Sequence, residues 1–171
     1  KGLDDARRVH HDVKEAAADA SMADPAQVIV GGAGLSGIQA AGEIAEYRDT
    51  HDANIDIHLV EGLDDVFPGN DPEVQGAIRK RLEAAGINIE CGEFISSVDE
   101  ENIYLGGGED TEPEEMAYDV LLWTGGITGQ EELAEADLDK DDRSKRVFAA
   151  QDFQTSDDRV FAIGDTALID Q

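Results

Sequence analysis

A glycine-broken apolar run fixes more about this chain than any other stretch. "VIVGGAGLSGIQAAGEI", Val28 to Ile44, passes from β-branched residues through three glycines into small and apolar residues at helical spacing. Gly32, Gly34 and Gly37 fit G-x-G-x-x-G, and the pattern follows a predicted strand, Gln27 to Val30, and opens a predicted helix, Leu35 to about Arg48. A second strand, "IDIHLV" from Ile55 to Val60, completes a βαβ unit. In such a unit Gly32 permits the tight turn, Gly34 lets backbone approach a pyrophosphate and Gly37 lets helix pack on strand. Ala33, Leu35 and Ser36 complete the cradle, and the helix N-terminus turns N–H groups and a partial positive charge toward an anion without needing a lysine. Glu61 stands just past the second strand, at the place of an acid that accepts hydrogen bonds from a ribose diol and repels a 2′-phosphate. The expected ligand is NAD(H) and not NADP(H).

The rest of the chain reads around that unit. Leu3, Ala6, Val9, Val13 and Ala17 fall on one face of an amphipathic helix running to about Ala20, and Ser21 to Pro25 reads as a linker. Asp71 to Ala85 predicts another helix, striped by Val74, Ile78, Leu82 and Ala85 and closed by Gly86 before the strand "INIEC". Arg79, Lys80 and Arg81 lie off that stripe, as a solvated face or as a basic phosphate patch. After Cys91 the period shifts from 3.6 toward 2, and "FISSV", "NIYLGGGED" and "EEMAYDVLLWTGG" predict a small antiparallel meander with Gly106, Gly107 and Gly108 at a turn. "DVLLW" reads as a buried strand of the main sheet, with Trp123 in the core. Glu131 to Arg146 reads as a polar loop with one helical turn, and "RVFAIGD" as a last buried strand closed by Gly164 and Asp165. The fold class that results is α/β: a Rossmann-like, three-layer ββα domain with a mainly parallel sheet and a β-meander crossover.

Composition limits the partners. The chain has 171 residues, one domain's worth, with 40 acidic against 13 basic side chains and a formal net charge of -27. Such a surface repels nucleic acid and anionic membranes. The acids are spread through every segment, which we read as adaptation to high salt, since screening removes the self-repulsion. Cys91 is alone, so no disulfide or C-x-x-C pair forms within the chain. It reads as a small core residue. His10, His11, His51 and His58 show no metal-ligand spacing, and "GLSGI" lacks the nucleophile-elbow spacing of a hydrolase. No apolar segment is long enough to span a bilayer.

"VIVGGAGLSGIQAAGEI", "IHLVEG", "YDVLLWTGG" and "RVFAIGD", in this order and spacing, resemble the NADH-binding domain of FAD-dependent pyridine nucleotide oxidoreductases, most of all type II NADH dehydrogenases. The resemblance implies hydride transfer from NADH to flavin and then electrons to a quinone, in a cytoplasmic enzyme whose parent is peripheral at the inner face of the membrane. It implies Thr124, Gly125 and Gly126 beside the coenzyme, and Gly164 and Asp165 at the flavin of a longer parent, with no catalytic side chain or metal required. The expected division is residues 1–26 as helix and linker, 27–158 as the NAD(H)-binding domain and 159–171 as a contribution to the FAD site. One G-x-G-x-x-G stands where the family has two, and the chain opens at Lys1 with little lead-in; both imply a piece of a longer flavoenzyme, inactive alone. Glu43 matches the family's acid, whereas Gln39 stands where type II dehydrogenases usually carry Glu. Ferredoxin, nitrite and sulfide:quinone reductases share most of this pattern, and a regulatory NAD-sensing module or a bland assembly domain are the readings from other classes.

Overall fold

The computed structural model describes residues 2–107, 112–126, 128, 129, 133 and 135–169. It contains two compact units, Lys1–Gly125 and Gly126–Gln171.

In the first unit α1 (Leu3–Asp19) precedes β1 (Ala26–Gly31), α2 (Leu35–His51), β2 (Ile55–Glu61), α3 (Pro72–Ala84) and β3 (Ile87–Cys91). A meander follows, β4 (Ile95–Val98), β5 (Asn102–Leu105) and β6 (Glu114–Ala117), and leads into β7 (Val120–Trp123). β3, β2, β1 and β7 form one parallel sheet in that order, and β4–β5–β6 a separate antiparallel sheet. The α/β, mainly parallel architecture with a meander crossover is therefore as the sequence predicts.

Alternation along the strands makes the layers. Val28 and Val30 of β1, Ile57 and Leu59 of β2, and Val120 of β7 face a core shared with Val13, Ala41, Ile44, Ala45 and Leu82 of the helices. Ile29 and Val60 face the other way, against Ile103 and Leu105 of the meander. Each β1 valine or isoleucine is fully buried, worth roughly 1.5–3 kcal/mol of transfer free energy apiece. A parallel strand covered on both faces reads as a continuous apolar run, as "VIV" does.

Chain order reverses across β1: β2 and β3 lie to one side, while the meander carries the chain to β7 on the other. The C-terminal ends of β1 and β7 therefore flank a topological switch point, the place where open α/β sheets hold ligands.

Several expectations need correction. Only part of the α1 stripe packs: Val13 is buried and Val9 and Ala17 lie against the core, but Leu3 and Ala6 are exposed. Val74 is likewise exposed at the first turn of α3. Trp123 is not a core residue; it is 47% exposed at the C-terminal end of β7, where the sheet no longer covers it. Lys80 and Arg81 are exposed, as on a solvated face, whereas Arg79 is part-buried and not a free phosphate ligand, since its Nε and Nη2 both donate to Asp65 Oδ1, at 2.9 and 2.7 Å. Cys91 is half-buried against the helical-face core and accepts from Arg79 Nη2 at 3.5 Å. Burial pushes its thiol above the ordinary value, with Arg79 pulling the other way.

The second unit is small. β8 (Val147–Ala149) pairs in parallel with β9 (Ala167–Ile169) over a cluster of Val147, Ala149, Ala162 and Ala167. Neither three-residue strand is visible in the sequence pattern. The predicted strand at "RVFAIGD" does not form: Val160 to Ile163 is extended with a single bridge, Phe161 to Gln154, while Phe161 and Ile163 are 60% and 68% exposed. Among the described residues no neighbouring strand supplies a ladder for it. Gly108 and several residues between 127 and 134 lie outside the described residues, so the expected glycine turn and helical turn there are only partly covered.

Candidate functional site: the switch-point cradle

The turn from β1 into α2 is built from backbone. Gly32 adopts φ +99°, a region open to glycine, and a Cβ there would stand 2.9 Å from Gly125 N. A Cβ on Gly37 would run into the Gly32 carbonyl oxygen, so helix and turn are in backbone contact. Gly34 is the N-cap of α2, and the space where its Cβ would lie is open. Leu35 and Ser36, both exposed, and buried Gly37 form the first turn, before the first α-helical bond from Ile38 N to Gly34 O at 3.0 Å. Their amides precede any intrahelical acceptor.

The surrounding charge makes this terminus unlike its neighbours. α1 begins with Asp4 and Asp5, and Asp5 Oδ2 accepts from Gly2 N at 2.9 Å. α3 begins with Asp71, whose Oδ1 accepts from Glu73 N at 2.8 Å. α2 has a glycine cap, no side-chain cap bond and no acid in its first turn. In a chain with 40 acidic residues, α2 differs from α1 and α3 in having no acid in its first turn.

The nearest carboxylate is Glu61, half-buried at the end of β2. Its Oε2 accepts from Ala33 N at 2.8 Å and its Oε1 from Leu63 N at 3.1 Å. Glu61 thus faces the glycine turn, oriented by two backbone donors. The turn is held on other sides as well. Gly32 N donates to Val60 O at 2.7 Å and Phe67 N to Ala33 O at 2.8 Å. Thr124 Oγ1 lies 2.9 Å from both Gly31 O and Gly32 O, and Thr124 N donates to Gly31 O at 2.8 Å. Trp123 Nε1 donates to Gly125 O at 3.0 Å, and its indole lies over Gly31. Sequence reasoning missed the Phe67 and Thr124 bonds. Thr124 sits 92 residues from Gly32, and nothing local marks the contact.

Large apolar side chains stand exposed around the rim: Leu35 after β1, Leu63 after β2, Phe94 after β3 and Trp123 at the end of β7. Each of the four parallel strands contributes one near its C-terminal end. Glu43 and Gln39 are both exposed on α2.

Gly126, at φ +78°, opens the second unit, which also carries the Gly164–Asp165 turn. Gly164 has φ +69° with open space where a Cβ would point, and Asp165 is exposed in a short 3₁₀ turn, Gly164–Thr166. Arg146 holds this turn, its Nε donating to Asp165 O at 2.9 Å and its Nη2 to Ala167 O. Thr166 Oγ1 is buried with no hydrogen-bond partner among the described residues. An open glycine, an outward carboxylate and an unsatisfied hydroxyl fit a hydroxyl-rich ligand such as a flavin's ribitol chain.

Fold and cradle together define a Rossmann-like α/β domain of the dinucleotide-binding kind. The chain matches the model of the pyridine nucleotide-disulphide oxidoreductase family over residues 1–171, and it belongs to that family. Members of the family are oxidoreductases that use FAD and NAD(P). Among curated relatives, the dihydrolipoyl dehydrogenase of Haloferax volcanii is 31% identical over 86% of this chain and 31% of its own length. The NADH dehydrogenase-like protein YutJ of Bacillus subtilis is 24% identical over 98% of this chain and 42% of its own. Similar folds occur in NDH2 from Plasmodium falciparum in complex with NADH, with a TM-score of 0.72 and 19% identity over 99% of this chain and 39% of that one. The water-forming NADH oxidase of Lactobacillus brevis bound to NADH also has a TM-score of 0.72, at 19% identity over 98% of this chain and 33% of that one. The chain spans less than half the length of the relatives it matches. Among the described residues, no helix is long and apolar enough to cross a membrane.

Proposed function

We propose that this chain is the NADH-binding part of an NADH dehydrogenase-like flavoenzyme that passes hydride from NADH to flavin and electrons on to a quinone. The observation that carries the reading is the acid-free, glycine-capped N-terminus of α2 beside an oriented Glu61. The amides at residues 34–37 would hold the pyrophosphate, and Glu61, fixed by the Ala33 amide, the adenosine ribose, by accepting from its 2′- and 3′-hydroxyls. A 2′-phosphate would meet the Glu61 charge, and Arg79, which reaches Cys91 opposite Glu61 in the sheet, is already engaged by Asp65, so NADH is favoured over NADPH. The exposed Leu63 and Phe94 would border the adenine, and Thr124 to Gly126 the nicotinamide side. Gly164 and Asp165 would meet the ribitol chain of FAD in the longer parent. The bound flavin would supply a hydride acceptor; this chain's contribution is placement and exclusion of water, with no nucleophile asked of it. The parent would be cytoplasmic, peripheral at the inner face of the membrane, and adapted to high salt. The likeness to Haloferax volcanii's enzyme and the net charge of -27 support the last point.

Solved relatives include a ferredoxin reductase from Rhodopseudomonas palustris, with a TM-score of 0.70, so a reductase serving a different acceptor is the second reading. A regulatory NAD-sensing module shares the cradle, but the outward Asp165 beside the unsatisfied Thr166 hydroxyl favours a flavoenzyme. Calorimetric titration of the purified chain tests the cradle: NADH should bind, with NADPH at least about tenfold weaker, a difference of about 1.4 kcal/mol. Absence of NADH binding, or equal affinities, refutes it. Expression of the full reading frame and a flavin absorption spectrum test the FAD assignment, and quinone reduction with NADH tests the acceptor.

A further inference from the structure

We propose that Thr124 is a positioning residue for the pyrophosphate, acting through the glycine turn and not by touching the coenzyme with its side chain. This rests on the dinucleotide reading above. A cradle of amides attracts an anion only if the carbonyls of the same turn point elsewhere, since an outward carbonyl would set its negative end against the phosphates. Two carbonyls at the end of β1, those of Gly31 and Gly32, have to be turned inward, and both lie 2.9 Å from Thr124 Oγ1. A hydroxyl has one proton, shared here between two acceptors, so none is left for a ligand. The Thr124 amide adds a third bond, to Gly31 O at 2.8 Å. On its other side the hydroxyl reaches Gly37, where a Cβ would stand 2.8 Å from Thr124 Oγ1. One side chain at the end of β7 therefore ties the last residue of β1 to the left-handed Gly32, and stands close against the first turn of α2. Glu61 fixes the same turn from β2 through Ala33 N. The cradle is clamped from both neighbouring strands before any ligand arrives, which reduces the ordering cost of binding.

The clamp makes a specific demand. Removing the hydroxyl should weaken ligands that carry the pyrophosphate and spare those held only by the ribose acid. The test uses the purified chain with T124V, isosteric but without a donor, and T124S, which keeps the hydroxyl. NADH and ADP-ribose are titrated by calorimetry and by the fluorescence of Trp123, the one tryptophan in the chain. Adenosine, which lacks phosphate, is titrated by NMR.

In T124V, NADH and ADP-ribose should bind about five- to tenfold more weakly, the loss of roughly one hydrogen bond. Adenosine affinity and the NADH to NADPH ratio should stay within twofold, and T124S should restore binding. If valine is not accommodated, T124A runs through the same titrations. An equal loss across all three ligands, or a fall in thermal stability with unchanged NADH affinity, overturns the proposal. If the unmodified chain binds adenosine but neither phosphate-bearing ligand, the cradle reading fails, and this proposal with it. If the unmodified chain binds all three and T124V behaves as wild type, only the clamp fails.

Discussion

Two glycine turns of the molecule, Gly32–Gly37 and Gly164–Thr166, are supported very differently. The Gly32–Gly37 turn rests on fully buried Val28, Ile29 and Val30 and is bonded to Val60, Glu61, Phe67 and Thr124. The Gly164–Thr166 turn follows an extended segment whose Phe161 and Ile163 are exposed; Arg146 holds it, and Thr166 Oγ1 has no partner among the described residues. The first is a preorganised site within one compact unit. The second exposes Asp165 and leaves the buried Thr166 hydroxyl without a partner among the described residues. A turn stabilised from several strands can bind on its own, whereas one held by a single arginine requires its ligand, or what surrounds that ligand, to complete it.

Alanine at the two glycines should break the comparison most visibly. Gly37→Ala drives a methyl into the Gly32 carbonyl oxygen and should destabilise the first unit by about 3 kcal/mol, read as a lowered Tm with loss of NADH binding. Gly164→Ala meets open space and bears only the strain of φ +69°, about 1 kcal/mol, and should leave NADH affinity unchanged. Similar penalties at both would erase the distinction. Next in size, Glu61→Gln removes the charge facing a 2′-phosphate while keeping an acceptor, so the NADH to NADPH affinity ratio should fall about tenfold, or 1.4 kcal/mol. An unaltered ratio would mean that Glu61 only braces the turn.

Arg146→Ala should cost about 1 kcal/mol, seen as faster amide hydrogen exchange around Thr166, with the cradle unaffected. The smallest effects are those of pH. The Arg79 guanidinium, then the Val66 amide, hold Asp65 below the usual carboxylate range; the Ser144 amide and hydroxyl do the same for Asp141 in the second unit. A lowered carboxyl pKa favours the fold above its ordinary value, and that contribution is lost as pH falls through the lowered one. Both units should therefore weaken together in acid, visible as low-pH carboxyl shifts by NMR. Alkali should separate them. In the first unit, the hydrogen bond to Asp99 pushes Tyr104 up to about 12, so its support persists below the ordinary tyrosine value and disappears as pH rises through about 12. Ultraviolet titration of the phenol checks this.

What was legible in the sequence was legible because it is local or periodic. The glycine spacing, the helix after it, the strand with Glu61 at its end and the antiparallel period after Cys91 all follow from a few neighbouring residues. Trp123 was misread because an apolar run does not say where its sheet ends. The "FAIGD" strand was misread for a related reason: extended backbone becomes a strand only when another strand pairs with it. Arg79 was misread because its partner, Asp65, lies across a loop.

The sequence by itself determined the βαβ unit, the glycine cradle and the family, since backbone conformation at Gly32 and the apolar period are properties of short segments. Only the tertiary structure decided that Glu61 is bonded to the Ala33 amide of the turn, that Thr124 is spent on two carbonyls, and that the Gly164 turn is left partly unsatisfied. Those features depend on hydrogen bonds between residues far apart in the chain. Which donor meets which acceptor is set by how layers pack, a property that no local pattern encodes.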